Sequence, residues 1–128
     1  MPFSVLIYSA DMVRGKILLK SLQKENILSV LCKTAVELNK AINTQYYDVL
    51  VFDTKQNFWN ELSIFKNFSG VFKKTTTIIL ADLQNQPFLK TSGIRHDLCM
   101  PDPFDPEAIV GIISTIDESK KKTFSAAA

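Results

Sequence analysis

Asp53 ends the apolar run Tyr47-Asp48-Val49-Leu50-Val51-Phe52-Asp53, which delivers one carboxylate to the C-terminal tip of a buried strand. A lone carboxylate there can cap the turn that follows by accepting backbone amides of the next loop, and Lys55 is near enough in sequence to pair with it. For anything more reactive, further donors must converge on it. In an open parallel sheet they would come from the other strand ends: Ser9, Ala10 and Asp11, then Thr54, Ala81 and Asp82, and lastly Met100 to Asp102. Of these, Asp11 is expected to cap or precede the first helix, with reach to a metal as its alternative use.

Other chemistries find little support. Four glycines, Gly15, Gly70, Gly93 and Gly111, assemble neither a dinucleotide fingerprint nor a phosphate loop. A flavin phosphate would need a hydroxyl- and amide-rich loop, and Ser9-Ala10-Asp11-Met12 offers one hydroxyl. His96 is the single histidine, without a nucleophile and orienting acid that sequence can place beside it. With two cysteines it makes no tetrahedral metal set. A small flavodoxin-like enzyme domain is therefore kept as an alternative only.

The elements that must position Asp53 are short apolar runs separated by segments of helical spacing. Besides the Asp53 run, the strands are Ser4–Tyr8, Ile27–Cys32, Thr77–Ala81 and Asp97–Met100. Near-continuous apolar strands suit a parallel sheet covered on both faces. A first helix from about Met12 to Lys24 puts Gly15, Leu18, Leu19 and Leu22 on one face and Lys16, Lys20 and Lys24 on another. Thr34-Ala35-Val36-Glu37 reads as a capping box for a second, which buries Leu38, Ala41 and Ile42. A third, within Phe58–Phe72, turns Leu62, Phe65 and Phe68 inward and stops at Ser69-Gly70. Leu83 to Ser92, with Pro87, predicts a short distorted fourth helix. Asp105 as N-cap and Pro106 as first residue open the fifth, whose core face is Ile109, Ile112, Ile113 and Ile116. The expected fold is α/β, a flavodoxin-like three-layer sandwich with five parallel strands ordered 2-1-3-4-5.

A chain of 128 residues with 46% apolar content supports one core. We expect the domain to span residues 1–119, with 120–128 a basic linker or tail that begins at Lys120-Lys121-Lys122 and ends in cloning residue. The sequence has no apolar run near the roughly 18 residues a membrane span requires and no signal pattern, so a cytoplasmic location without membrane contact is expected. Cys32 and Cys99 fall on opposite edges of the expected sheet, too far apart for a disulfide. A net charge of +2 with scattered basic residues gives no reason to expect nucleic-acid binding.

From Val5 to about Ile116 the chain resembles the receiver domain of bacterial two-component response regulators. The resemblance rests on YDVLVFD, on TIILAD, and on PDPFDPEAIVGII, where DPFDPE stands close to the family's Lys-Pro-Phe-Asp-Pro-Glu pattern. It implies that Asp53 is the phosphoacceptor-equivalent residue, served in the family by Mg²⁺, which neutralises charge during phosphoryl transfer. The implied supporting positions are degenerate. The acidic pair after the first strand falls on Ser9 and Ala10, with Asp11 one place beyond. The hydroxyl residue ending the fourth strand falls on Ala81, and the lysine falls on Asp102 or, in the other register, on Met100. The Met-Pro-Gly loop is replaced by Lys55-Gln56-Asn57-Phe58.

The resemblance thus implies a degenerate, or pseudo-, receiver that works by protein–protein interaction in a two-component phosphorelay, with a conventional phosphoacceptor receiver as the alternative. No cofactor is expected, unless Asp53 together with Asp11 still binds Mg²⁺. The implied partner is a protein or a fused output domain, or a second copy. By resemblance the surface is that of the fourth helix, fifth strand and fifth helix: Leu83 to Thr91, Leu98 to Met100, and Glu107, Gly111, Ser114 and Thr115. The aromatics around the third helix, Phe58, Trp59, Phe65, Phe68 and Phe72, are read as core, with a partner surface as their alternative use. The family also implies a cis bond at Asp102-Pro103, or at Met100-Pro101 in the other register.

Overall fold

A computed structural model describes residues 2–91, 93, 96–101 and 104–127, the side chains of Ser69 and residues 121–127 excepted. The five strands are β1 (Ser4–Tyr8), β2 (Leu28–Cys32), β3 (Val49–Asp53), β4 (Thr76–Leu80) and β5 (Leu98–Met100). They form one parallel sheet in the order β2-β1-β3-β4-β5, the topology expected from the apolar runs. The helices between them are α1 (Met12–Lys24), α2 (Ala35–Ile42), α3 (Phe58–Phe68), α4 (Gln86–Thr91) and α5 (Pro106–Ala127).

Alternation along the two central strands divides the core. Leu6 and Tyr8 of β1 with Leu50 and Phe52 of β3 face Leu38 of α2, Leu62 and Phe65 of α3, and Leu89 of α4. Val5, Ile7, Val49 and Val51 face the other way, onto Leu18 and Leu22 of α1 and Ile109 and Ile113 of α5. Each strand is thus apolar on both faces, the reason the runs lack a period of two. β2 differs because it is an edge: Leu28 and Val30 stay exposed beyond the reach of the eight-residue α2, and only Cys32 is buried.

Local signals in the sequence account for most helix ends. The Asp11 carboxylate accepts from the amides of Val13 and Arg14 at 3.0 and 3.2 Å, capping α1. The helix ends as the chain turns through Asn26 at φ 60°, a left-handed conformation that asparagine tolerates. Thr34 Oγ1 accepts from Glu37 N at 3.1 Å, while the Glu37 carboxylate returns to Lys33 N rather than to Thr34 N, so the capping box is shifted by one residue. Asp105 Oδ1 accepts from Glu107 N at 3.0 Å and opens α5 at Pro106. Where α3 was expected to stop, at Ser69-Gly70, the chain continues as a 3₁₀ turn over Ser69–Phe72. The weak fourth segment is a 3₁₀ turn, Leu83–Asn85, leading into the six-residue α4. α5 runs on to Ala127, through the stretch expected to follow it. Near its far end Lys120 Nζ lies 3.0 Å from Asp48 Oδ1, and Asp48 Oδ2 accepts from Ser4 N at 2.9 Å, so α5 is tied to the N-terminal edge of the sheet.

Among the aromatics near α3, Phe58, Phe65 and Phe72 are buried, whereas Trp59 is 58% exposed. Phe52 stacks on Tyr8 with ring centroids 4.4 Å apart and meets Phe65 edge-on at 5.1 Å. Glu61 is buried among them. One of its carboxylate oxygens accepts from Asn60 Nδ2 at 3.2 Å, and the other has no hydrogen-bond partner among the described residues. Burial first, and the facing Glu61 carboxylate second, push the Tyr8 phenol well above the ordinary tyrosine range.

Cys32 and Cys99 lie on opposite edge strands and are free thiols. Burial, followed by the charge of Glu37, raises the Cys32 thiol from 9.0 to about 11. Burial also raises Cys99, against the opposing effect of Lys90. At neutral pH a thiol reagent should therefore label Cys99 first and reach Cys32 only on unfolding. Equal rates for C32S and C99S would refute that order. A thiol whose folded pKa is raised contributes stability that is complete below its unfolded pKa. Stability should thus fall as pH rises from about 9 towards 11, less steeply in C32S, as checked by urea unfolding across that range.

Candidate functional site

Ser9 to Asp11 follow β1, Asp53 and Thr54 stand at the end of β3, and Ala81 and Asp82 follow β4, all at the carboxyl edge of the sheet. β1 and β3 are adjacent, with Tyr8 opposite Phe52, so the loops that leave them open side by side at the switch point. Asp53 closes β3, and its side chain is 2% exposed. Ser9 is buried next to it, Ala10 follows half-buried, and Asp11 caps α1.

The group that completes the site was not singled out in the sequence. Arg14, in the first turn of α1, grips Asp53 with both arms of its guanidinium: Nε lies 2.8 Å from Oδ2 and Nη2 3.0 Å from Oδ1. Gly15 lets α1 come close enough for this. A Cβ there would stand 2.8 Å from a Leu31 methyl, which would have to turn away, and 3.3 Å from Ser9 Cβ, which would have to give by a few tenths of an ångström. The far side of the guanidinium lies over the Phe104 ring, 4.6 Å from its centroid, which favours the cation without adding an anion.

Two further donors complete the shell. Ser9 Oγ is 2.8 Å from Asp53 Oδ2 and 3.0 Å from the Asp11 carbonyl oxygen, so its single proton serves one of these acceptors at a time. Lys55 N donates to Asp53 Oδ1 at 3.0 Å, the turn-capping contact expected of a lone carboxylate, while Lys55 Nζ lies 3.5 Å from Asp82. A carboxylate has about four lone-pair sites. Those of Asp53 face Arg14 twice, Ser9 and the Lys55 amide.

Beside this cluster is a pocket of about 190 Å³ bounded by Arg14, Thr54, Lys55, Asn57, Ala81 and Asp82 among others. The Thr54 hydroxyl donates to the Leu80 carbonyl at 2.6 Å and is buried. Ala81, also buried, contributes only a methyl and no hydroxyl to this pocket. Met100 ends β5 alongside it, with its carbonyl 3.0 Å from Ala81 N. Asp102, and with it the Asp102-Pro103 bond, lies outside the described residues.

These residues do not fit a hard divalent cation. Mg²⁺ needs near-octahedral oxygen coordination, yet Asp53 is held by a guanidinium, Asp11 by helix amides, and Ser9 and Ala10 bring no charge. Among the described residues no cluster of three or more acidic, histidine or cysteine side chains is poised to hold a metal.

The expected partner surface divides in two. Glu107, Gly111 and Ser114 line a groove of about 470 Å³ with Ser21, Lys24 and Glu25, so they sit on the α1 side of α5, away from β5. Leu98 on β5 and Thr115 on α5 are exposed apart from that groove. Among the described residues no helix is long and apolar enough to cross a membrane.

The sequence matches no family model and no curated protein. The fold does match solved structures. A CheY-like response regulator receiver domain protein from Methanospirillum hungatei has a TM-score of 0.75 at 20% identity, over 95% of this chain and 99% of its own. The receiver domain of the Francisella response regulator 1452 has a TM-score of 0.76 at 19% identity, over 91% and 98%. A structure described as an adenylate cyclase from Rhodopirellula baltica has a TM-score of 0.78 at 12% identity, over 99% and 96%. Together with the 2-1-3-4-5 sheet and an aspartate at the tip of β3, these matches give the chain the receiver-domain fold of response regulators.

Proposed function

We propose that this chain is a non-catalytic, receiver-like signalling module of a two-component system that acts through protein contacts without phosphorylation of Asp53. The observation that carries this reading is the occupancy of the Asp53 carboxylate. To attack phosphorus, Asp53 would need a free lone pair, a cation to offset the incoming phosphoryl charge, and donors for the product. Its lone pairs instead meet Arg14, Ser9 and the Lys55 amide, and the neighbouring position 81 has no hydroxyl. Arg14 thus takes the electrostatic place of the metal beside Asp53. A protein partner or a fused output domain would read the module.

Trp59, the single tryptophan, lies six residues beyond Asp53 and can report on the pocket. Titration with millimolar Mg²⁺ and beryllofluoride, a mimic of the phosphoryl group, should leave its fluorescence and the amide spectrum unchanged. A saturable response that disappears in D53A would make the protein a working phosphoacceptor and overturn the reading.

A further inference from the structure

We propose that the face formed by α3 and the start of α4 docks an acidic, amphipathic helix of a partner protein. The proposal rests on the interaction-module reading above and specifies which surface is used and by what. Its first observation is an aromatic pair held in water. Trp59 of α3 is 58% exposed and Phe88 of α4 is 44% exposed, yet their rings lie 5.0 Å apart, tilted by 60°, bridging the two helices. Phe58, which is buried, meets Trp59 edge-on at 5.0 Å and anchors the pair to the core. Leu83, in the turn before α4, is 69% exposed. A tryptophan fixed by neighbouring rings carries little entropy to lose on binding, the property that makes such residues anchors of protein interfaces.

The second observation is charge, and it identifies the occupant. Residues 54–96 contain six lysines and arginines against two acids, Glu61 and Asp82, whereas the chain as a whole has 15 against 13. The remainder therefore carries nine basic and eleven acidic residues. Asp82 cancels one of the six by pairing with Lys55 at 3.5 Å, but on α3 and α4 themselves the exposed charges are Lys66 and Lys90, the one acid there, Glu61, being 2% exposed. Lys66 follows Trp59 by seven positions, two turns along the same face of α3, and is exposed. A partner with apolar residues at i, i+3 and i+7 and carboxylates on its flanks would lay the first on Trp59, Phe88 and Leu83 and the second along the lysines.

The test uses the full chain and a fluorescein-labelled 18-residue helical peptide with leucine and phenylalanine at those spacings and glutamate on its flanks, followed by anisotropy. Saturable binding that weakens with added salt is expected. W59A and F88A should each weaken it at least tenfold and K66E several-fold, while V36A, on the exposed side of α2, should leave it unchanged. Circular dichroism of each variant separates lost docking from lost folding. Equal binding of a peptide with lysine for glutamate, preferential binding of an oligothymidylate, or self-association through the patch in sedimentation without peptide binding would each overturn the proposal. So would no binding at all. None of these outcomes depends on the Mg²⁺ and beryllofluoride response, so this proposal and the reading beneath it fail separately.

Discussion

Arg14→Ala should destabilise the protein by about 3–5 kcal/mol, the range found when one partner of a buried ion pair is removed. For a domain of this size that is a fall in Tm of roughly 10–20 °C. The size follows from what is left behind. Asp53 is 2% exposed, and in the variant it would retain the Ser9 hydroxyl and the Lys55 amide but lose both charged donors. Water from the adjoining pocket can enter the space the guanidinium leaves, but it cannot supply the lost positive charge. Arg14→Lys should recover only part of the loss, since an ammonium is a point charge and cannot make the two parallel bonds. Pairing Arg14→Met with Asp53→Leu should recover most of it, because removing both charges also removes the cost of burying them. Urea unfolding of the wild type, Arg14→Met, Asp53→Leu and the double variant forms a double-mutant cycle that isolates the pair. A loss below about 1 kcal/mol in Arg14→Ala would mean that the pair contributes no more than an exposed one.

Phe52→Ala should cost a similar amount, about 3–5 kcal/mol, for a different reason. Phe52 is fully buried on β3, stacked on Tyr8 and edge-on to Phe65, so truncation leaves a cavity between a strand on each side and α3 above. The neighbours are strands locked by parallel pairing and cannot collapse far. Phe52→Leu should lose less than half as much. The expected signature is a lower urea midpoint with an unchanged m-value. A lowered m-value would instead report a native state already loosened around β3.

These two positions also show how unevenly the sequence could be read. Phe52 was legible as core because β3 is an unbroken apolar run, as the other strands were, while the helices were legible from their spacing and capping residues. Arg14 was hidden by its setting. On α1 it sits amid Lys16, Lys20 and Lys24, a stripe that reads as a solvated face, and nothing in helical spacing says that the first turn of α1 reaches across to the tip of β3. One indirect clue was present. Asp53 stands alone among Ser9, Ala10 and Ala81, so a buried carboxylate at that point needs a cation from elsewhere, and Arg14 is the nearest candidate past Asp11. Trp59 was misread for the converse reason. Phe58, Phe65 and Phe72 are core as their spacing suggests, but Trp59 follows Phe58 directly and so must leave the buried face. Glu61 was likewise unflagged because it is polar, although it stands three residues after Phe58 and four before Phe65, on the very face that α3 buries.

The filled shell around Asp53 has a consequence for time. An acyl phosphate hydrolyses, and a receiver that carries one switches itself off at a rate its own pocket sets. On the proposed reading, a carboxylate held by Arg14, Ser9 and the Lys55 amide has no such clock. The duration of any signal through this domain is then the residence time of its partner, and its strength is set by how much of each protein is made.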